Sequence, residues 1–227
     1  MSKILEDDIE NCIKSLIEKF LKWPYNFFTE SDAHSYLYYY LFRFGSKELK
    51  RFYPTKDSKA KTVLPHREYP TSFRYHKKSM QLDEQTGGRG HYDLAVLNPE
   101  FITSHTMDEV IAKNYKKCCK DETNHLLAAI EFKLIVNPLG KYLRVEIAKD
   151  FQKLSWAIDL KQSKNAYMII FNRARKEESY LDELCELKKS YPKVKGIYLE
   201  SIAGEARSYR IIYLDKSDWK YKIRFKG

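Results

Sequence analysis

The sequence predicts an α/β domain in which helices cover both faces of a central sheet. Three observations point to that architecture. Helix-period apolar residues fill the start of the chain, apolar strands dominate its middle, and a long amphipathic segment separates the two most apolar strands.

Residues 3–22 place Ile4, Ile9, Ile13, Ile17, Phe20 and Leu21 at helical spacing, and Pro24 closes that helix. A second helix starts at Thr29, where Thr29-Glu30-Ser31-Asp32 has the form of a capping box, and Tyr36, Leu37, Tyr40, Leu41 and Phe44 follow before Gly45. Residues 61–76 read as an extended segment interrupted by Pro65 and Pro70, which suits an edge strand or hairpin. A turn over 86–90 precedes a strand over 91–97 that ends at Asn98-Pro99. A short helix over 107–118 leads to the strand 126–136. After 137–140 comes an amphipathic helix over 144–161 with Val145, Ile147, Ala148, Phe151, Leu154 and Ile158 inward. A strand over 167–171, a charged helix over 176–190 and strands over 195–200, 209–214 and 219–225 complete the chain, which contains no repeat or low-complexity tract.

Composition narrows the function classes. A chain of 227 residues with 43% hydrophobic residues buries ~70% or more of its unfolded surface and has its own core. Eight Gly and seven Pro, set against 12 Phe, 18 Tyr and 3 Trp, exclude a disordered or collagen-like chain. No apolar run approaches the ~18 residues of a spanning helix, and the first ten residues are acidic, so a soluble, cytoplasmic protein without membrane association is expected. Cys12, Cys118, Cys119 and Cys185 form no C-x-x-C pair and read as reduced thiols. The formal charge of +10 is unevenly spread: residues 43–78 carry 11 Lys or Arg against 3 acids, interleaved with aromatics such as Phe52, Tyr69 and Phe73. Cations attract phosphate and aromatics stack on bases, so nucleic acid is the partner this pattern suggests.

The chemistry concentrates in the strand 126–136. Alternation puts Ile130, Phe132 and Leu134 on one face and Glu131 with Lys133 on the other. An acid-x-Lys tripeptide occurs six times in this Lys-rich chain, but only Glu131 to Lys133 lies inside an apolar strand. Asp93 likewise interrupts the apolar run of Tyr92, Leu94, Val96 and Leu97. Buried charge is costly unless paired or bound to an ion. Two carboxylates on successive strands make a hard-oxygen site suited to Mg²⁺ or Mn²⁺, and a neighbouring Lys can orient water or neutralise charge on a phosphate.

These residues, Asp93 in GRGHYDLAVL and Glu131 with Lys133 in AAIEFKLIV, resemble the PD-(D/E)xK nuclease superfamily over roughly residues 29–171. The resemblance implies a restriction-endonuclease-like core, a central mixed sheet flanked by helices, here with an N-terminal helix and extra C-terminal strands over 175–227, all in one domain. It implies catalysis by Glu30, Asp93, Glu131 and Lys133, with Glu30, Asp93 and Glu131 holding Mg²⁺ or Mn²⁺. The position before the motif aspartate is Tyr92 where the family name has Pro. The helix acid is Glu30 or Asp32, and Asp32 also suits the capping box. A polar residue on the later helix is implied too, for which Gln152 and Lys153 are the candidates, whereas Asp150 reads as a helix-surface acid.

His34, one turn past Glu30, and His91, on the strand face of Asp93, are further candidates for contact with the site or substrate. Arg89 in the GGRG turn and the cationic face Lys220, Lys222 and Arg224 are candidates for the nucleic-acid backbone; a charged edge that resists aggregation explains the latter equally. The function expected is a metal-dependent endonuclease acting on DNA. A non-catalytic nucleic-acid-binding protein with the same fold, an RNA-cleaving enzyme and a homodimer all stay open.

Overall fold

In the computed structural model, which describes residues 2–111, 123–136, 140–173, 180–201, 209–214 and 220–223, the chain opens with α1 (Ser2–Lys22). Leu5, Ile9, Ile13, Leu16 and Phe20 recur every three to four residues and all are buried. The turn at Pro24–Asn26 leads to α2 (Glu30–Arg43), whose N-terminus is fixed by Asp32: its Oδ2 accepts the backbone N–H groups of Thr29 and Phe28, each at 2.8 Å. Asp32 is therefore the return half of the capping box, which leaves Glu30 as the acid free to face the sheet. Asp32→Ala should cost about 1 kcal/mol in a denaturant titration. Any catalytic activity should survive it in proportion to the folded fraction.

After α3 (Lys47–Lys50), β1 (Tyr53–Pro54) and β2 (Lys61–Thr62) pair as a small separate sheet. The main sheet comprises β3 (Pro65–His76), β4 (Gln81–Leu82), β5 (Gly88–Leu97), β6 (Leu126–Ile135), β7 (Ser163–Asn172), β8 (Lys195–Ser201), β9 (Tyr209–Tyr213) and β10 (Lys220–Ile223). Among the described residues it has eight strands in the order β10-β9-β8-β7-β6-β5-β3-β4. β6, β7 and β8 are parallel and the other pairings antiparallel, so the sheet is mixed. Parallel neighbours need long crossovers, which α6 (Lys141–Asp159) and α7 (Leu181–Lys189) supply after α4 (Pro99–Ser104) and α5 (Met107–Val110).

Helices cover both faces. On the face of Phe132 and Phe171, which stack at 6.3 Å, Phe20 of α1 packs on Phe171 at 4.7 Å. On the opposite face, α6 sends Lys153 to Glu131. Two-sided cover explains why β6 is buried along almost its whole length. The C-terminal strands continue this sheet beyond β7 and form no separate layer.

Several boundaries differ from the sequence expectation. Gly88, Arg89 and Gly90 belong to β5, with Arg89 opposite Arg74; a side chain at Gly90 would collide with the Tyr75 hydroxyl, so that glycine permits a close approach within the sheet. Asn98-Pro99, read as a strand end, also begins α4: the Asn98 side chain accepts the Glu100 N–H and Pro99 takes the first helical position. Helix α6 starts three residues early, and Val145 is 43% exposed because it lies off the buried stripe of Ile147, Phe151, Leu154 and Ala157. α5 ends at Val110, and the rest of the helix expected over 107–118 lies almost wholly outside the described residues, as do Cys118 and Cys119. Among those described, no helix is long and apolar enough to cross a membrane.

Candidate functional site

At the C-terminal half of β6 the chain gathers four carboxylates and two ammonium groups. Lys133 Nζ lies 2.9 Å from Asp150 Oδ2 and 3.5 Å from Glu30 Oε2, linking α6 to the first turn of α2. Lys153 Nζ lies 2.8 Å from Glu131 Oε1 and 3.2 Å from Asp150 Oδ1, and it donates to the backbone carbonyl of His91 at 2.9 Å. Asp93 joins from β5: its Oδ2 accepts the N–H of Phe132, the residue between Glu131 and Lys133, at 2.8 Å. Glu30 Oε1 accepts the N–H of Leu134 at 3.4 Å. β5 thus meets β6 through a side chain at the point where the ladder ends at Leu94 and Ile130.

The site is dry. Glu131 is 2% exposed and Lys153 7%. Burial pushes the carboxyls of Glu30, Asp93 and Glu131 above the usual range, Glu131 furthest; Lys153 opposes the shift at Glu131 and the Phe132 N–H opposes it at Asp93. Burial alone would pull both lysines down. Asp150 and Glu30 around Lys133, and Glu131 and Asp150 around Lys153, outweigh it and hold both above the ordinary lysine value. Both ammonium groups therefore stay charged at neutral pH.

Glu131 Oε1 and Asp150 Oδ2 are buried with a lysine ammonium in ion-pair range but no aligned hydrogen bond. Among the described residues, no three His, Cys, Asp or Glu side chains converge as a ready-made metal cage. Mg²⁺ does not require one, because one or two carboxylates with waters and phosphate oxygens suffice. Asp93 and Glu131 are two such carboxylates on neighbouring strands, each already engaged, Asp93 by the Phe132 N–H and Glu131 by Lys153, as Glu30 is by Lys133 and the Leu134 N–H.

The other candidates separate by position. His34 is buried and stacks on Phe132 at 6.2 Å; its Nδ1 accepts from Arg67 Nε at 3.1 Å, so the proton of the neutral ring is on Nε2. Burial, then the Arg67 charge, lower its pKa. The His91 side chain is exposed, and only its carbonyl takes part. Gln152 points elsewhere and accepts from the Tyr191 hydroxyl at 3.2 Å, so Lys153 is the helix residue at the site. Asp150, expected on the helix surface, has a side chain only 14% exposed and bridges both lysines. Arg89 lies on β5 four residues before Asp93, roughly 13 Å along the strand. Lys220 and Lys222 lie on β10, four strands from β6 and roughly 19 Å away, while Arg224 lies outside the described residues.

Asp93 offers a test of the cost of this arrangement. Its carboxyl is raised in the fold, so its protonated form is favoured there, and the stability this contributes at low pH is lost as pH rises through the folded value. Asp93→Asn keeps an oxygen for the Phe132 N–H and removes the charge. In chelator at pH 8 the variant should melt roughly 2–4 °C above wild type, a gain of ~1 kcal/mol that shrinks toward pH 4.

Compared with known proteins, the chain matches no family model, no curated protein and no solved structure.

Proposed function

We propose that this protein is a metal-dependent phosphodiesterase that hydrolyses nucleic acid, DNA in the first instance, with a restriction-endonuclease-like core of the PD-(D/E)xK type. The observation that carries this reading is the convergence of Asp93 from β5 and Glu131 from β6 beside Lys133, which Asp150 and Glu30 hold from two sides. The order of elements supports the same likeness: a helix acid on α2, an acid on β5, an acid and a Lys on β6, then a helix and a parallel strand.

Asp93 and Glu131 would hold Mg²⁺ or Mn²⁺, which when bound lowers the pKa of water and stabilises charge on the scissile phosphate and leaving oxygen. Lys133 is an ammonium and cannot accept a proton, so its part is to orient the attacking water and offset negative charge growing on the phosphoryl oxygens. Glu30 and Asp150 hold that ammonium from two sides. Lys153 neutralises Glu131 in the metal-free protein and, anchored on the His91 carbonyl, ties α6 to β5.

One observation favours a second reading. Lys153, 2.8 Å from Glu131, already compensates the acid that a metal would need, as it would in a nucleic-acid-binding protein that keeps the fold without catalysis. A cleavage assay separates the two. Labelled duplex, branched and single-stranded DNA and RNA are incubated with the protein in Mg²⁺, Mn²⁺ or chelator. The nuclease reading expects products only with metal, and none from Glu131→Gln. Binding without cleavage in any metal supports the second reading.

A further inference from the structure

Beside the carboxylate cluster, the connection from α1 to α2 displays aromatic rings to solvent. Trp23, Tyr25 and Phe28 are 51%, 61% and 73% exposed, whereas Pro24 and Phe27 between them are buried. Phe27 is clamped by Phe20 at 5.3 Å and Phe171 at 5.5 Å, so the segment is anchored from inside while its other rings face outward. Arg173 lies at 5.7 Å from the Tyr25 centroid and 5.9 Å from that of Phe28, and its guanidinium donates to the Phe27 carbonyl at 2.7 Å. Lys22 lies at 5.7 Å from the Trp23 ring. Single exposed apolar residues are ordinary, but three rings in six residues, two of them sharing one guanidinium, form a patch.

Two links place this ledge on the border of the site. Phe28 is two residues before Glu30, and the Arg173 N–H donates to the carbonyl of Ile135, two residues past Lys133, at 2.7 Å. Exposed rings with cations beside them are what an unpaired nucleotide recognises: base on ring, phosphate on guanidinium or ammonium. Bases within a duplex keep their faces stacked on one another and cannot use such rings.

We infer that the ledge of Trp23, Tyr25, Phe28 and Arg173 receives an unpaired nucleotide, so that the substrate is single-stranded or locally opened nucleic acid. The inference rests on the proposed function and adds the substrate class. The test measures binding without cleavage, by fluorescence anisotropy in chelator. The probes are labelled 12-nucleotide DNA and RNA strands of one sequence and the corresponding blunt DNA duplex, presented to the whole chain.

Wild type should bind single strands at least tenfold tighter than duplex. Tyr25→Ala/Phe28→Ala should weaken single-strand binding roughly tenfold per ring lost and leave duplex binding nearly unchanged. Its salt dependence should stay the same because no charge is removed, whereas Arg173→Gln should flatten the slope by just under one log unit per lost phosphate contact. Tyr25 and Phe28 are exposed, so a near-wild-type melting curve is expected of the double variant and verifies folding; Arg173 is half-buried and donates to the Phe27 carbonyl, so the melt of Arg173→Gln is recorded beside its salt titration. Comparing the DNA and RNA arms identifies which strand the ledge accepts. Equal single-strand affinity in wild type and the double variant, or tighter duplex binding, overturns the inference while leaving the nuclease reading standing. Failure to bind nucleic acid of any form overturns both.

Discussion

Lys133→Met should lower phosphodiester cleavage by ~10² or more with little change in substrate affinity. Methionine keeps most of the aliphatic stem, and the change removes an ammonium that Asp150 and Glu30 hold charged. The loss should fall on kcat, because charge on the phosphoryl oxygens grows only in the transition state while one phosphate contact among many is a small part of binding. The fold should survive, since Asp150 retains Lys153 at 3.2 Å and Glu30 is at the rim with a side chain 38% exposed. Single-turnover cleavage with saturating Mg²⁺ checks this. A variant that cleaves as fast as wild type would remove Lys133 from the chemistry.

Lys153→Met should act on stability. It strips the partner from Glu131, the most deeply buried of the acids at the site, and breaking a buried pair from one side costs roughly 3–5 kcal/mol. For a chain of this size that is a drop of roughly 6–20 °C in melting temperature. The sign of its pH dependence follows from Glu131, whose folded pKa is raised and rises further without the ammonium. A raised acid contributes stability at low pH that is lost as pH rises through the folded value, so the deficit should be small near pH 4 and full near pH 8. Added Mg²⁺ should recover more melting temperature in this variant than in wild type, because a divalent cation restores the missing charge to Glu131. Calorimetric or fluorescence melts across pH, with and without Mg²⁺, read all three expectations.

The strand acids were legible because charge inside an apolar strand is conspicuous: Asp93, Glu131 and Lys133 interrupt runs of Leu, Ile and Val. The rivalry of Glu30 and Asp32 was legible too, and the capping box assigns Asp32 to the helix end. Asp150 was not, because an acid on a charged helix is unremarkable until the stripe is traced. Ile147, Asp150, Phe151 and Leu154 follow the i, i+3, i+4, i+7 spacing, so Asp150 occupies an inward position. That signal was available. Lys153 and Gln152 are adjacent on one turn, and only the packing of α6 against β5 and β6 decides that Lys153 enters the site while Gln152 meets Tyr191.

The strand order was not legible from periodicity. The pattern locates β8 to β10 but does not state that they extend the same sheet, which removes Lys220 and Lys222 to a far edge. The ledge at Trp23–Phe28 lay in a connection where aromatic spacing carries no period to read.

The most direct test of a carboxylate cluster built for a divalent cation is a calorimetric titration of Mg²⁺, then Mn²⁺, into wild type and Asp93→Asn at pH 8. Wild type should bind, and the Asp93→Asn isotherm should be flat or at least tenfold weaker, because the variant keeps the hydrogen bond to Phe132 but loses the charged oxygen. Equal binding by both proteins, or none by wild type, would contradict the account.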